Sequence, residues 1–188
     1  FITYTSDTGQ LAETGATHAS MKARADAIWD KACIELEWRD PVPILWTNWD
    51  GVVPLRGGRN PIGTAAKQVY DLLNVPDCIE VFYVQGFLPP RGARPIGLVD
   101  VRGSSTAGVL IDESSCQAAE VDNVVAHEIG HILNLRNHPR RNTNRLMEES
   151  ANNNNDLLSE HEMRYLRNPL LRDKQPKDST TECCRQPG

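Results

Sequence analysis

The chain has 188 residues, of which 39% are hydrophobic and 24% charged, and a formal net charge of -5. That length suffices for one sizeable core, so a single domain is expected, and the composition is ordinary for a globular protein. The acidic balance argues against nucleic-acid binding, which normally brings a basic stripe. No apolar run approaches the ~18 residues that a membrane span needs.

The first segment, "FITYTS", alternates and is rich in β-branched residues, which predicts a strand. In "THASMKARADAIWDKACIELEW", Met21, Ala25, Ile28, Trp29 and Ala32 recur at helical spacing, with Thr17 or Ser20 as the cap. The period then switches to two in "IELEWRD", which predicts a second strand. Residues 41–62 read as a Pro/Gly-rich loop and "GTAAKQVYDLLNV" as a short amphipathic helix. "CIEVFYVQGF" is the most apolar strand and is expected at the centre of a sheet. "IGLVDVRG" and "AGVLIDES" form two further strands joined by a short turn.

The helix that carries "AHEIGHILNLRNHP" begins within "SSCQAAEVDNVV", where Ser114 and Gln117 have capping-box spacing. An Asn-rich stretch follows, and "LSEHEMRYLRNPLL" reads as a last helix with Ser159 as N-cap and Glu162 at its third position. The order of elements implies an α/β sheet with helices packed on it. The polar tail, residues 173–188, is expected to be loose. The chain opens at Phe1 without a methionine, so a processed or truncated product is expected.

Five cysteines are present, Cys33, Cys78, Cys116, Cys183 and Cys184, and none forms a C-x-x-C pair. A cysteine zinc site is therefore not expected. Cys78 precedes one predicted strand and Cys116 follows another, so either a bridge between them or two free thiols fits. Cys183 and Cys184 fit a tail disulfide or free thiols better than an inhibitory thiolate. This cysteine content favours an extracellular location.

The stretch "AHEIGHILNLRNHP" holds His127, His131 and His138, three of the chain's five histidines, with Glu128 beside the first. Residues four apart on a helix lie about 40° apart around the axis, so His127 and His131 can converge on one ion. Glu128 then lies close to that ion without ligating it. This is the H-E-x-x-H arrangement, in which zinc acidifies a bound water and the glutamate takes its proton. Val121, Val124, Val125, Ile129, Ile132 and Leu133 surround the motif at near-helical spacing, as a buried active-site helix requires. Gly130 leaves room for close packing. A catalytic zinc usually has three protein ligands, and two places offer the third: Asn137 or His138 nearby, or Glu160 or Glu162 on the last helix. Asn134 favours the nearer place, because asparagine tolerates the left-handed conformation that ends a helix and lets the chain turn back.

"HEIGHILNLRNH" followed by "NRLM" resembles the signature of the metzincin clan of zinc endopeptidases, H-E-x-x-H-x-x-G-x-x-H with a later Met-turn. The resemblance covers roughly residues 1–150. It implies a metzincin-like twisted mixed sheet with an active-site helix, plus a small irregular C-terminal lobe ending in a helix. The catalytic domain would span residues 1–172, with residues 1–134 forming its upper lobe and residues 135–172 its lower lobe. His127 and His131 would be ligands of one Zn2+, Glu128 the general base and Met147 the methionine beneath the metal. The "RLM" ending is similar to the matrixin-like branch, the extra helix at 63–75 to the adamalysin-like branch. Asn134 stands where the family has glycine. Asn137 occupies the strict third-ligand position and histidine comes one residue later. An amide oxygen is a poor zinc ligand beside imidazole, whereas a one-residue bulge costs little, so His138 is the expected third ligand.

The resemblance also implies that Gly97, Leu98, Val99 and Asp100 form an exposed edge strand above the cleft, pairing with an extended polypeptide substrate. Arg140, Arg141 and Arg145 form a solvated basic loop or a preference for acidic substrates. The leading expectation is a secreted, monomeric zinc endopeptidase. The alternatives are a gluzincin-like peptidase using Glu160 or Glu162, and a binding module that keeps zinc but has lost turnover. His18 and His161 read as surface histidines, and no calcium loop is evident.

Overall fold

The computed structural model describes residues 2–5, 15–40, 42–45, 52–55, 63–72, 75, 78–88, 95–102, 106–119, 121–135, 144–148 and 156–167. Seven strands and five helices lie within them: β1 (Ile2–Thr5), α1 (Gly15–Asp30), β2 (Val42–Leu45), β3 (Val52–Pro54), α2 (Thr64–Tyr70), β4 (Ile79–Val84), β5 (Gly86–Leu88), β6 (Gly97–Arg102), β7 (Thr106–Asp112), α3 (Glu113–Ala119), α4 (Val124–Ile132) and α5 (Glu160–Arg167). A five-stranded sheet has the order β2-β1-β4-β7-β6, and β3 and β5 make a separate two-stranded sheet. β2, β1, β4 and β7 run parallel, and β6 is antiparallel to β7. The fold is α/β with mixed sheet. None of the described helices is long and apolar enough to cross a membrane.

Alternation along the central strands explains why helices cover both faces. On β4, Val81 and Tyr83 face a core shared with α1 and α4, while Phe82 and Val84 face one shared with α2 and the small sheet. On β7, Val109 and Ile111 take the first side and Leu110 the second. A strand buried on both sides reads as one continuous apolar run, as "VFYV" does. The helical stripe of α1 behaves as its spacing predicts: Met21, Ala25, Ile28, Trp29 and Ala32 are all buried in the first core. Leu146, Met147, Leu158 and Leu166 enter that same core, so the chain around them packs on the face of the sheet that α1 and α4 cover.

Several expectations need correction. "IELEWRD" is not a strand; residues 34–40 are irregular. Its alternation is real, since Ile34, Leu36 and Trp38 pack against the core while Glu35, Glu37 and Arg39 are exposed. Period two records which side of an extended segment is buried and does not require a ladder partner. The second strand is instead β2, inside the stretch read as a loop, with Pro43 opposite Thr3. Proline lacks the N–H of a ladder, and β2 is an edge of the sheet, where that loss is tolerated. β3 also lies in that stretch, and "CIEVFYVQGF" is two strands broken at Gln85. α1 starts before both Thr17 and Ser20.

Ser114 does not cap a helix. The cap of α3 is Asp112, whose Oδ1 accepts from Ser115 N–H at 2.8 Å and from Ser114 Oγ at 3.0 Å. Its Oδ2 accepts from Phe87 N–H at 3.0 Å, which ties β5 to the end of β7. Cys78 and Cys116 are free thiols. Burial pushes the Cys116 thiol up to about 12, so it is an inert core residue. His18 is half-buried, its ring edge-on to Tyr83 with Nδ1 3.4 Å from the phenolic oxygen, and burial lowers its pKa. His161 is exposed. Cys183, Cys184 and the tail lie outside the described residues.

The capping box of α5 is present. Glu162 N–H donates to Ser159 Oγ at 3.1 Å, and Ser159 N–H donates to Glu162 Oε2 at 2.6 Å. Ser159→Ala should therefore lower stability by about 1 kcal/mol. A thermal melt of that variant beside the parent, followed by circular dichroism, checks this.

Candidate metal and catalytic site

α4 is apolar on most of its surface, and Val124, Val125, Ala126, Ile129 and Gly130 are buried. A helix of that kind is stable only when surrounded, and it lies between α1, β6 and β7. His127, Glu128 and His131 are its polar residues.

The two imidazoles stand with ring centres 4.8 Å apart and planes at 82°. Zinc–nitrogen bonds of ~2 Å put each ring centre ~3 Å from the ion, so two histidines at a tetrahedral angle sit about 5 Å apart. The observed pair fits that spacing. His127 Nδ1 lies 2.7 Å from the carbonyl oxygen of Leu146. A carbonyl can only accept, so Nδ1 carries the proton and Nε2 keeps its lone pair. Ligating histidines are commonly oriented in this way, by donating the second ring N–H to a carbonyl or carboxylate.

Leu146 and Met147 are both buried, directly beneath α4. A Cβ added at Gly130 would run into the Met147 sulfur and come within 3.7 Å of Leu135 Cδ1. Gly130 is thus the position at which α4 rests on the methionine. One short segment supplies both the carbonyl that orients His127 and the side chain that supports the next turn of the helix. The carbonyl carries no side-chain signal, so sequence reasoning did not find it.

The helix ends as its asparagine predicts. Asn134 has φ 68°, in the left-handed region. Leu135 N–H donates to Gly130 O at 2.9 Å and Asn134 N–H to His131 O at 3.0 Å. Those two bonds form a Schellman motif, which satisfies the last carbonyls of α4 and turns the chain back. Asn134 Nδ2 also donates to Tyr165 Oη on α5 at 2.9 Å, a contact the sequence did not signal.

Glu128 is buried at 6% exposure, and that burial pushes its carboxyl up to about 8. Its side chain lies against Gly97, the first residue of β6. β6 is the last strand in the sheet order. Asp112 N–H donates to Ile96 O at 3.0 Å, so in the antiparallel ladder the backbone groups of Gly97 and Val99 point away from β7. Leu98 is buried on the opposite face against α2, and Asp100 is half-buried.

His138 and Asn137, and with them the choice of third ligand, lie outside the described residues, as do Arg140 and Arg141. Arg145 is exposed. Among the described residues no group of three His, Cys, Asp or Glu side chains stands close enough to hold a metal ion. The two downstream glutamates have other roles: Glu162 caps its own helix, and Glu160 is exposed and paired with Arg164. Those contacts weigh against a ligand from α5. The chain matches no protein-family model, and neither a curated protein nor a solved structure proves similar to it.

The raised Glu128 pKa has a consequence for the metal-free chain. The folded state holds this proton up to about pH 8, while the unfolded carboxyl releases it near its ordinary value of 4.5. Stability from this group is full below the unfolded value. It falls as pH rises towards 8, by up to about 1.4 kcal/mol per pH unit. In chelator-treated protein, Glu128→Gln should flatten that decline, as measured by urea unfolding between pH 5 and 8.

Proposed function

We propose that the chain is a zinc-dependent endopeptidase acting on extended polypeptides, with a site resembling that of the metzincins. The observation that carries this reading is His127, whose Nδ1 is held by the Leu146 carbonyl while its ring stands at ligand spacing from His131. His127 and His131 would hold the ion, with His138 as third ligand. When bound, zinc lowers the pKa of a water molecule and polarises the carbonyl under attack.

The protein's own groups then have separate tasks. Glu128 accepts a proton at its carboxylate and returns it to the leaving amide nitrogen. Its burial beneath the start of β6 keeps bulk water from that oxygen. The outward N–H and C=O groups of Gly97 and Val99 can pair with an extended chain, which would lie along the strand above α4. Met147 and Gly130 keep the ligand-bearing helix at fixed height, and Asn134 ends that helix in the left-handed region.

Glu128→Ala should abolish peptide hydrolysis, by at least about 100-fold, while one zinc stays bound. Peptide-library digestion together with metal analysis tests both halves, and wild-type turnover in that variant rules the mechanism out. Chelation should inactivate the parent and added zinc restore it.

The third ligand is tested separately. His138→Ala should lose zinc affinity and activity together, and Asn137→Ala should keep both, as read by metal titration. The reverse pattern would make Asn137 the ligand. If zinc binding survives both substitutions, the third ligand lies elsewhere.

A further inference from the structure

We propose that Gly97 is the seat of Glu128, a positioning residue whose bare Cα lets the buried carboxylate lie beneath the edge strand. A Cβ built at Gly97 would come within 2.5 Å of Glu128 Oε1, 2.9 Å of Glu128 Cγ and 2.8 Å of Val124 Cγ1. Side-chain carbons do not approach that closely, so even alanine forces a displacement. The Gly97 backbone is not in the left-handed region, so conformational freedom does not explain the glycine. Space does.

Neither wall of this seat yields easily. β6 is held along its length by β7, from Gly97 opposite Ile111 to Arg102 opposite Thr106. Asp112 N–H secures Ile96 just before it, and Tyr70 Oη donates to Leu98 O at 3.2 Å just after it. On the other side, Val124 and Glu128 lie one turn apart on α4, both buried, and the helix rests on Met147 through Gly130. The Glu128 carboxylate is the terminal, rotatable group among the three contacts. A side chain at position 97 therefore moves the carboxylate first. Gly97 bears on the proton-transfer step through Glu128, and need not touch the substrate to do so.

The effect on turnover rests on the peptidase reading, whereas the seat itself does not, and a double-mutant cycle separates the two. Melting temperatures of chelator-treated parent, Gly97→Ala, Glu128→Ala and the double variant measure the seat without any activity. Gly97→Ala should lower the melting temperature by about 5 °C in the parent and by less than half of that in the Glu128→Ala background. In the zinc-loaded protein, Gly97→Ala should lower kcat about 100-fold, with KM and zinc content nearly unchanged. Should Gly97→Ala fail to fold, recovery of folding in the double variant supports the seat, and failure of both overturns it. Equal destabilisation with and without Glu128 overturns it, as does a rise in KM with kcat intact. Coupling in the melting temperatures from a chain that hydrolyses no peptide upholds the seat and overturns the peptidase reading.

Discussion

A single backbone carbonyl governs the geometry of the candidate site. Leu146 O fixes which nitrogen of His127 is protonated and which way the ring faces. A histidine without such a partner can rotate and exchange tautomers, and its ligand nitrogen then has no fixed position. The carbonyl is itself fixed from both ends. Leu146 N–H donates to Leu157 O at 2.9 Å, and the next side chain, Met147, is fully buried against Gly130. α4 and the segment beneath it therefore position each other, and the helix owes its location to contacts far along the chain.

The sheet contributes the opposite boundary. α4 packs against β6 and β7, so the site lies between the rim of the sheet and the segment around Met147. Burial there acts on Glu128 and on the histidines unequally. The carboxyl is nearly inaccessible and shifts strongly, whereas His127 and His131 are half-buried. Arg24 adds a lateral tie, reaching Asp122 before α4 and Asp156 before α5. These are half-exposed pairs at 3.6–3.7 Å and contribute little energy beside the apolar contacts.

Where local chemistry decides the outcome, the sequence was legible. Asn134 ends its helix in the left-handed region, and Ser159 and Glu162 make their box, because each depends on residues a few positions apart. The stripe of α1 was equally plain, since its period is set by one buried face. What was lost depends on partners distant in the chain. "IELEWRD" has the alternation of a strand and is irregular, its alternate side chains packed on the core, while the proline-bearing β2 pairs because β1 lies beside it. Asp112 displaced Ser114 as a cap because the strand before α3 ends on the carboxylate, which also serves Phe87. The motif histidines and Glu128 could be named from spacing alone. The Leu146 carbonyl, Tyr165 and the contact at Gly97 could not, because each is brought to the helix by tertiary packing.

The same long-range pairing has a temporal consequence. β1 comes first in the chain but sits in the sheet between β2 and β4, with Ile2 opposite Phe82. Pairings of that separation form late and slowly, because a long loop must close before any contact is made. Leu146 follows later still. During synthesis the histidine motif is made before the segment that orients it. A nascent chain therefore carries the residues of the candidate site before it has their geometry, which arrives only with the closing steps of folding.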